Sequence, residues 1–221
     1  VAAVKVEFDG AAVPDYYSID AIAISDSRYP IIADIPTMKM LASGILIEAL
    51  DKNVNSDYKE LNPLLSPDGK TLYFSPQNHP ENVGGIQDKE DIWYSELDSS
   101  GRWQLARNMT NLNNDGPNYV NTIQTVSPDG QSAIMLLGNQ YLDNGKMLAG
   151  VSISRNVGGS WTKPVALKIA NDYNYAEKAN YFLANNRKTL LMAVERDDTQ
   201  GDRDLYVTFM KSDSTWTEPL N

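Results

Sequence analysis

Cysteine is absent from the 221-residue chain. That excludes disulfides, thiolate zinc sites and cysteine nucleophiles. Histidine occurs once, at His79, which excludes a multi-histidine metal site and the helical zinc-protease motif. No stretch approaches the ~18–20 apolar residues that a membrane-spanning helix needs. The longest apolar segment, residues 38–50, is interrupted by Lys39, Ser43, Gly44 and Glu48. No basic head followed by an apolar run opens the chain, so no signal peptide is read there. The start at Val1 is that expected of a mature or excised piece. Basic residues are outnumbered, 19 against 29 acidic, for a net charge of −10. Such a surface repels phosphate backbones, so neither nucleic acid nor an anionic membrane surface is an expected partner.

What is present is a repeat. Ser-Pro-Asp-Gly begins at Ser66 (SPDGKTLYFS) and again at Ser127 (SPDGQSAIML), each time ahead of an apolar run. A worn third copy, LANNRKTL, spans 183–190, with Ala184 in the serine position and Asn186 in place of Asp68. Trp103, Trp161 and Trp216 recur in phase, 58 and 55 residues apart, each closing a turn-rich segment (SSGRW, GGSW, SDSTW). Two markers in one order at one period are stronger than either alone. Short runs of Val, Ile, Thr and Tyr lie between Gly, Pro, Asn and Asp, which favours strands over helices. Each unit reads as a strand, the Ser-Pro-Asp-Gly turn, a second strand (72–75, 133–137, 190–194), a variable loop, a third strand, and a Gly/Ser turn leading past the Trp to a weaker fourth strand. Four short antiparallel strands per repeat predict an all-β chain of the β-propeller class, incomplete here because three clear units fall short of the ~4–8 blades of a propeller. The units span about 58–114, 115–172 and 173–221, with 1–57 as a divergent blade or small β element. Within 38–50 a helix competes, although Gly44 and the Ile45-Leu46-Ile47 run favour a strand for the second half.

Several constellations have both a chemical and a structural reading. Asp68 and Asp129 have the residue type of acid/base groups or ligands. Turn chemistry accounts for them better, since Pro presets φ, Gly supplies positive φ, and Asn186 is tolerated in the third copy. ERDDTQGDRD (195–204) gathers Glu195, Asp197, Asp198, Asp202 and Asp204. A Ca²⁺ ion takes several oxygens from one loop, but the spacing is not that of an EF-hand, and a solvated loop paired with Arg196 and Arg203 is the preferred reading. PQNHPENVGGIQDKED (76–91) is the longest polar insertion and a candidate binding loop. His79 within it reads as a surface residue, and Gly84-Gly85 lacks the Lys-Ser/Thr of a phosphate loop. Tyr16, Tyr17, Tyr173, Tyr175 and Tyr181 are candidates to line a sugar or peptide groove, with packing at strand edges the preferred alternative. No residue is assigned a catalytic, cofactor-binding or metal-ligating role.

ELNPLLSPDGKTLYFS, followed by DIWYSELDSSGRW, resembles the TolB-type, WD-repeat-like β-propeller repeat of bacterial envelope proteins. The longer string NVNSDYKELNPLLSPDGKTLYFSPQNHPENVGGIQDKEDIWYSEL, with GDRDLYV (201–207) and TWTEPLN (215–221), is similar to propellers of Bacteroidetes-type outer-membrane-associated proteins. In that group the propeller is often joined to a peptidoglycan-binding domain of the OmpA C-terminal type, which these residues do not include. SRNVGGSW (154–161) resembles the Asp-box hairpin of sialidases, with Asn156 at the Asp position, and SELDSSGRW (95–103) is a longer relative. The resemblance implies a periplasmic, outer-membrane-associated, non-catalytic scaffold that binds other envelope proteins. A sialidase-like glycoside hydrolase and a glycan- or peptidoglycan-binding module are the alternatives, because propeller folds host many roles.

Overall fold

A computed structural model describes residues 48–127 and 132–221. The readings of 1–47, including Tyr16 and Tyr17, most of 38–50 and of the divergent blade, and that of Asp129, lie outside the described residues. Ala49–Asn221 forms one compact unit. It is all-β, with no α-helix among the described residues. Its strands fall into three antiparallel meanders, in chain order.

The first sheet contains β1 (Lys59–Leu65), β2 (Thr71–Gln77), β3 (Trp93–Glu96) and β4 (Arg107–Asn108). The second contains β5 (Val120–Thr125), β6 (Ala133–Tyr141), β7 (Met147–Val157) and β8 (Ser160–Trp161), with β9 (Val165–Ala166) also on β7. The third contains β10 (Asn180–Leu183), β11 (Thr189–Val194) and β12 (Asp204–Phe209). Bridges Met210–Trp216 and Val207–Leu220 add a fourth row to it.

The sequence markers sit where the chain reverses. At the first turn, Gly69 has φ 70°, a left-handed conformation that glycine adopts without steric cost. Asp68 accepts hydrogen bonds from the Ser66 hydroxyl (2.5 Å) and the Lys70 N–H (3.1 Å), which lower its pKa. In the third copy Asn186 accepts from the N–H groups of Lys188 (2.8 Å) and Thr189 (3.0 Å), and Arg187 takes the positive φ of 56°. The Ser66 hydroxyl accepts from Thr71 N–H and the Ser127 hydroxyl from Ser132 N–H, both at 2.9 Å.

Each Trp stands across a hairpin: Trp103 opposite Leu97, Trp161 opposite Asn156, Trp216 opposite Met210. Asp98, Asn156 and Asp213 accept from backbone N–H groups inside these turns. A further signature lies just beyond each Trp. The buried hydroxyls of Ser95, Ser154 and Thr208 donate to the carbonyls of Gln104, Thr162 and Thr217, at 2.5, 2.6 and 2.6 Å. One side-chain-to-backbone bond thus ties the third strand to the chain beyond the Trp in all three sheets.

The core lies between the sheets. Strand β6 alternates with the period of two that strands impose. Met135 and Leu137 pack with Tyr73, Ile92 and Met109 on the first-sheet side. Ile134 and Leu136 pack with Tyr181, Leu183, Leu190 and Met192 on the third-sheet side. Leu72, Phe74 and Trp93 turn the other way, against Val54, Trp103 and Ala106. Strand β5 lies against both β1 and β10. Its side chains take up the backbone edge of β10: Thr122 Oγ1 donates to Tyr181 O (3.1 Å), Gln124 Nε2 to Leu183 O (2.5 Å), and Asn121 Oδ1 accepts from Tyr181 N–H (3.0 Å). An edge that would otherwise carry unpaired backbone groups is thereby satisfied without a ladder. Tyr119 adds a bond to Ala179 O (2.8 Å), and its ring fits because Gly138 faces it; a Cβ on Gly138 would stand 2.1 Å from the ring.

Candidate functional site

The neighbouring first strands leave a cleft. About 380 Å³ of it is lined by Asn62 and Leu64 of β1, Val120 and Asn121 of β5, and Asn180 and Phe182 of β10, among others. Asn62 and Asn180 also border a second, more polar hollow of about 460 Å³ with Tyr119, Glu177, Lys178, Asp202 and Arg203. Each first strand therefore contributes one asparagine. Asn62, Asn121 and Asn180 are each 59 residues apart, a repeat marker in ELN, YVN and KAN that motif reading missed although the period was legible. Asn62 has φ 52° at the irregularity in the β1–β2 pairing, where asparagine is among the few residues that tolerate the left-handed region. The Nδ2 of Asn121 is buried with no hydrogen-bond partner among the described residues. Asn180 Oδ1 accepts from Arg203 (3.3 Å), which also donates to Lys178 O. The mouth thus has mixed charge, amides at its centre and apolar walls. Amides that donate and accept, beside exposed apolar side chains, are equipped to bind a polypeptide backbone or a hydroxyl-rich ligand.

The 76–91 loop, read as a candidate binding loop, turns four polar side chains inward and leaves Asn78, Glu81, Gln87 and Lys89 exposed. Asn82, Asp88, Glu90 and Asp91 are all buried. Asp91 accepts from Val83 N–H (2.7 Å), Asn108 Nδ2 (2.7 Å) and Asn118 Nδ2 (3.2 Å). Burial, reinforced by the Asp88 carboxyl, pushes its pKa up to about 6. Burial likewise raises Asp88, with Asp115 adding a smaller push. Glu90 is fully buried and ion-paired with Lys178 from the start of the third repeat. Asn118 gathers this cluster: it donates to Asp91 and to the carbonyls of Asn114 and Gly116, and accepts from the Tyr141 hydroxyl (2.9 Å). The loop therefore serves as a polar plug where the first and second sheets meet. Backbone groups of the loop and of the 113–118 segment needed partners in the interior, and these side chains supply them. His79 is half-buried. It lies edge-on between Tyr58 (4.7 Å) and Trp93 (4.5 Å).

The acidic loop 195–204 also differs from the expected ion-paired loop. Its arginines go to neutral acceptors. Arg196 is buried, donates to the carbonyls of Asn171 and Tyr173, and stacks 4.0 Å over the Tyr173 ring. The carboxylates receive tyrosine hydroxyls: Tyr173 and Tyr175 donate to Asp197 at 3.2 and 2.8 Å, and Tyr206 to Asp198 at 2.6 Å. No group of three or more acidic or histidine side chains among the described residues is arranged to hold a metal ion. Of the groove tyrosines, Tyr173 and Tyr175 are thus occupied at this loop, while Tyr181 is buried beside the cleft, where desolvation raises its pKa and its hydroxyl has no partner among the described residues. No helix among the described residues is long and apolar enough to cross a membrane.

No family model and no curated protein matches this chain, so the envelope-propeller resemblance rests on the quoted residues alone.

Proposed function

We propose that the three meanders are successive blades of a β-propeller and that the chain is a non-catalytic interaction module of a bacterial envelope, associated with the outer membrane. The adjacency of β1, β5 and β10 supports the propeller reading, since first strands of successive blades neighbour one another around an axis. The repeated hydrogen bonds of the three hairpins support it further. The envelope address rests on the resemblance of ELNPLLSPDGKTLYFS and its neighbours. The observation that carries the functional reading is the cleft, with one amide from each first strand. It suits an extended segment of a partner protein, whose backbone Asn62 and Asn180 meet while Leu64, Phe182 and Leu205 provide apolar contact.

The test is affinity capture from solubilised outer membranes with the chain as bait, compared with an Asn62→Gly/Asn180→Ala variant. Glycine keeps the positive φ at position 62 and removes the amide. A discrete protein that is captured by the parent and lost with the variant is expected. Equal capture by both would place the binding elsewhere. Retention on isolated peptidoglycan, lost with the variant, would change the ligand to a glycan. Turnover of a glycoside by the purified chain would overturn the non-catalytic reading.

A further inference from the structure

Between the second and third sheets lies a cavity of about 460 Å³ that shares no lining residue with the cleft. Comparison with the preceding interface shows why it is there. The residue before the repeated hydroxyl of the third strand, and its cross-strand partner on the second strand, face the next sheet. In the first sheet that pair is Tyr94 and Tyr73; in the second it is Ile153 and Leu136. The two tyrosine rings pack into the first interface. Their counterparts in the second are shorter aliphatic side chains, and a large-to-small exchange leaves space wherever the surroundings do not collapse. Ile134, Leu183 and Trp216 complete buried apolar walls.

The exposed residues lining the cavity are Arg155, Arg187 and Ser214, which therefore form its mouth. All three depart from the repeat. Arg155, one residue past the repeated hydroxyl, stands where the first sheet has Glu96. Arg187 stands in the glycine position of Ser-Pro-Asp-Gly, with φ 56°. Ser214, two residues before Trp216, stands where Gly101 and Gly159 precede their tryptophans, with φ 64°. Glycine adopts this backbone region without steric cost and other residues seldom do. The third repeat thus keeps two side chains where glycine would suit the backbone better, and strain of this kind collects at functional sites. No described carboxylate lines the cavity, and neither arginine has an ion-pair partner among the described residues. An apolar hollow with a few polar groups at its mouth is the usual form of a small-molecule site, and a planar guanidinium matches a carboxylate. We propose that this cavity binds a free fatty acid, with its hydrocarbon chain between the two sheets and its carboxylate on Arg155 and Arg187. The site goes beyond the proposed envelope function and does not depend on it.

Calorimetric titration of the purified chain with hexanoate, octanoate and decanoate, each below its micelle concentration, tests this. Saturable binding at one site is expected, tightening about fourfold per added methylene. Octanol keeps the chain of octanoate without its charge and binds about tenfold more weakly or worse. Arg187→Gly restores the residue of the first two turns. It leaves the melting temperature equal or higher and weakens decanoate by about tenfold or more. Ile153→Tyr, the residue of the first sheet, fills the cavity and abolishes binding. The cleft variant Asn62→Gly/Asn180→Ala binds decanoate as the parent does, which separates this site from the cleft. Absence of saturable binding by all three carboxylates overturns the proposal. So does an affinity that ignores chain length, one unchanged in Arg187→Gly, or one lost in the cleft variant.

Discussion

Strands β6 and β11 hold the same place in their sheets and alternate in the same way, yet β6 is closed on both faces and β11 on one. In β6, Ile134, Met135, Leu136 and Leu137 are all buried; in β11, Leu190, Met192 and Val194 are buried while Leu191 is 41% exposed. The repeat thus specifies a sheet with two apolar faces, and the neighbours decide how much each face contributes. A sheet covered on both sides reads as a continuous apolar run, and one covered on a single side normally alternates with polar residues. β11 has the first pattern in the second environment, so Leu191, its cross-strand partner Phe182 and, diagonally, Leu205 stay exposed.

Truncation separates the two strands most. Leu136→Ala removes a side chain packed between the second and third sheets and costs ~2–5 kcal/mol. Leu191→Ala costs under ~0.5 kcal/mol, as for surface substitutions generally. Urea unfolding of both variants gives the difference. Equal costs would break the comparison, because Leu191 would then be covered within the single chain.

Much of this architecture was legible in the sequence. The turn at 66–69, the hairpins closed by Trp103, Trp161 and Trp216, and the three apolar second strands all arise from local chemistry, and local chemistry is what a repeat preserves. The plug and the cleft were less accessible. Whether Asp88, Glu90 and Asp91 face water or the interior depends on Asn118 and Lys178, which arrive from 27 to 88 residues away. The exposure of Leu191 depends on whether another sheet packs over that face, and no pattern within RKTLLMAV distinguishes it from the buried Ile134. The asparagines at 59-residue spacing were available as a signal, but their convergence required the adjacency of β1, β5 and β10.

The two sides of the second sheet also differ in polarity, and pH exposes that difference. The side toward the first sheet includes the plug around Asp91; the side toward the third holds the apolar cluster of Ile134, Leu136, Tyr181 and Leu190, with neutral hydroxyl and amide contacts from β5 to β10. With the Asp91 pKa raised from 3.8 to about 6, the folded chain binds its proton more tightly than the unfolded chain does. Between about pH 4 and pH 6 the folded state therefore holds more protons, and stability falls as pH rises through that window. Asp91→Asn removes the titrating group and flattens this part of the profile, even though the substitution lowers stability overall by disturbing the bonds from Val83, Asn108 and Asn118. Melting temperature followed against pH for both proteins is the measurement. An unchanged slope would mean that the plug is hydrated and the two sides are alike in solution.

The smallest effect contrasts the turns that open β2 and β11. Asp68 and Asn186 do the same work, each accepting from backbone N–H groups two or more residues ahead. Removing either acceptor with alanine costs on the order of 0.5–1 kcal/mol at neutral pH, the low end for a single exposed hydrogen-bonding group. Only Asp68 titrates, and its pKa is lowered by the Ser66 hydroxyl first and the Lys70 N–H second. Its contribution is therefore fully present above the unfolded value of 3.8 and is lost as pH falls through the lower folded value. The penalty for Asp68→Ala should shrink on acidification toward that value, while the penalty for Asn186→Ala stays constant. Denaturant titrations at neutral and acidic pH on the two single variants compare them directly. A penalty at Asp68 that persists in acid would show that the backbone turn needs only a neutral acceptor, which makes the worn third copy equivalent to the first.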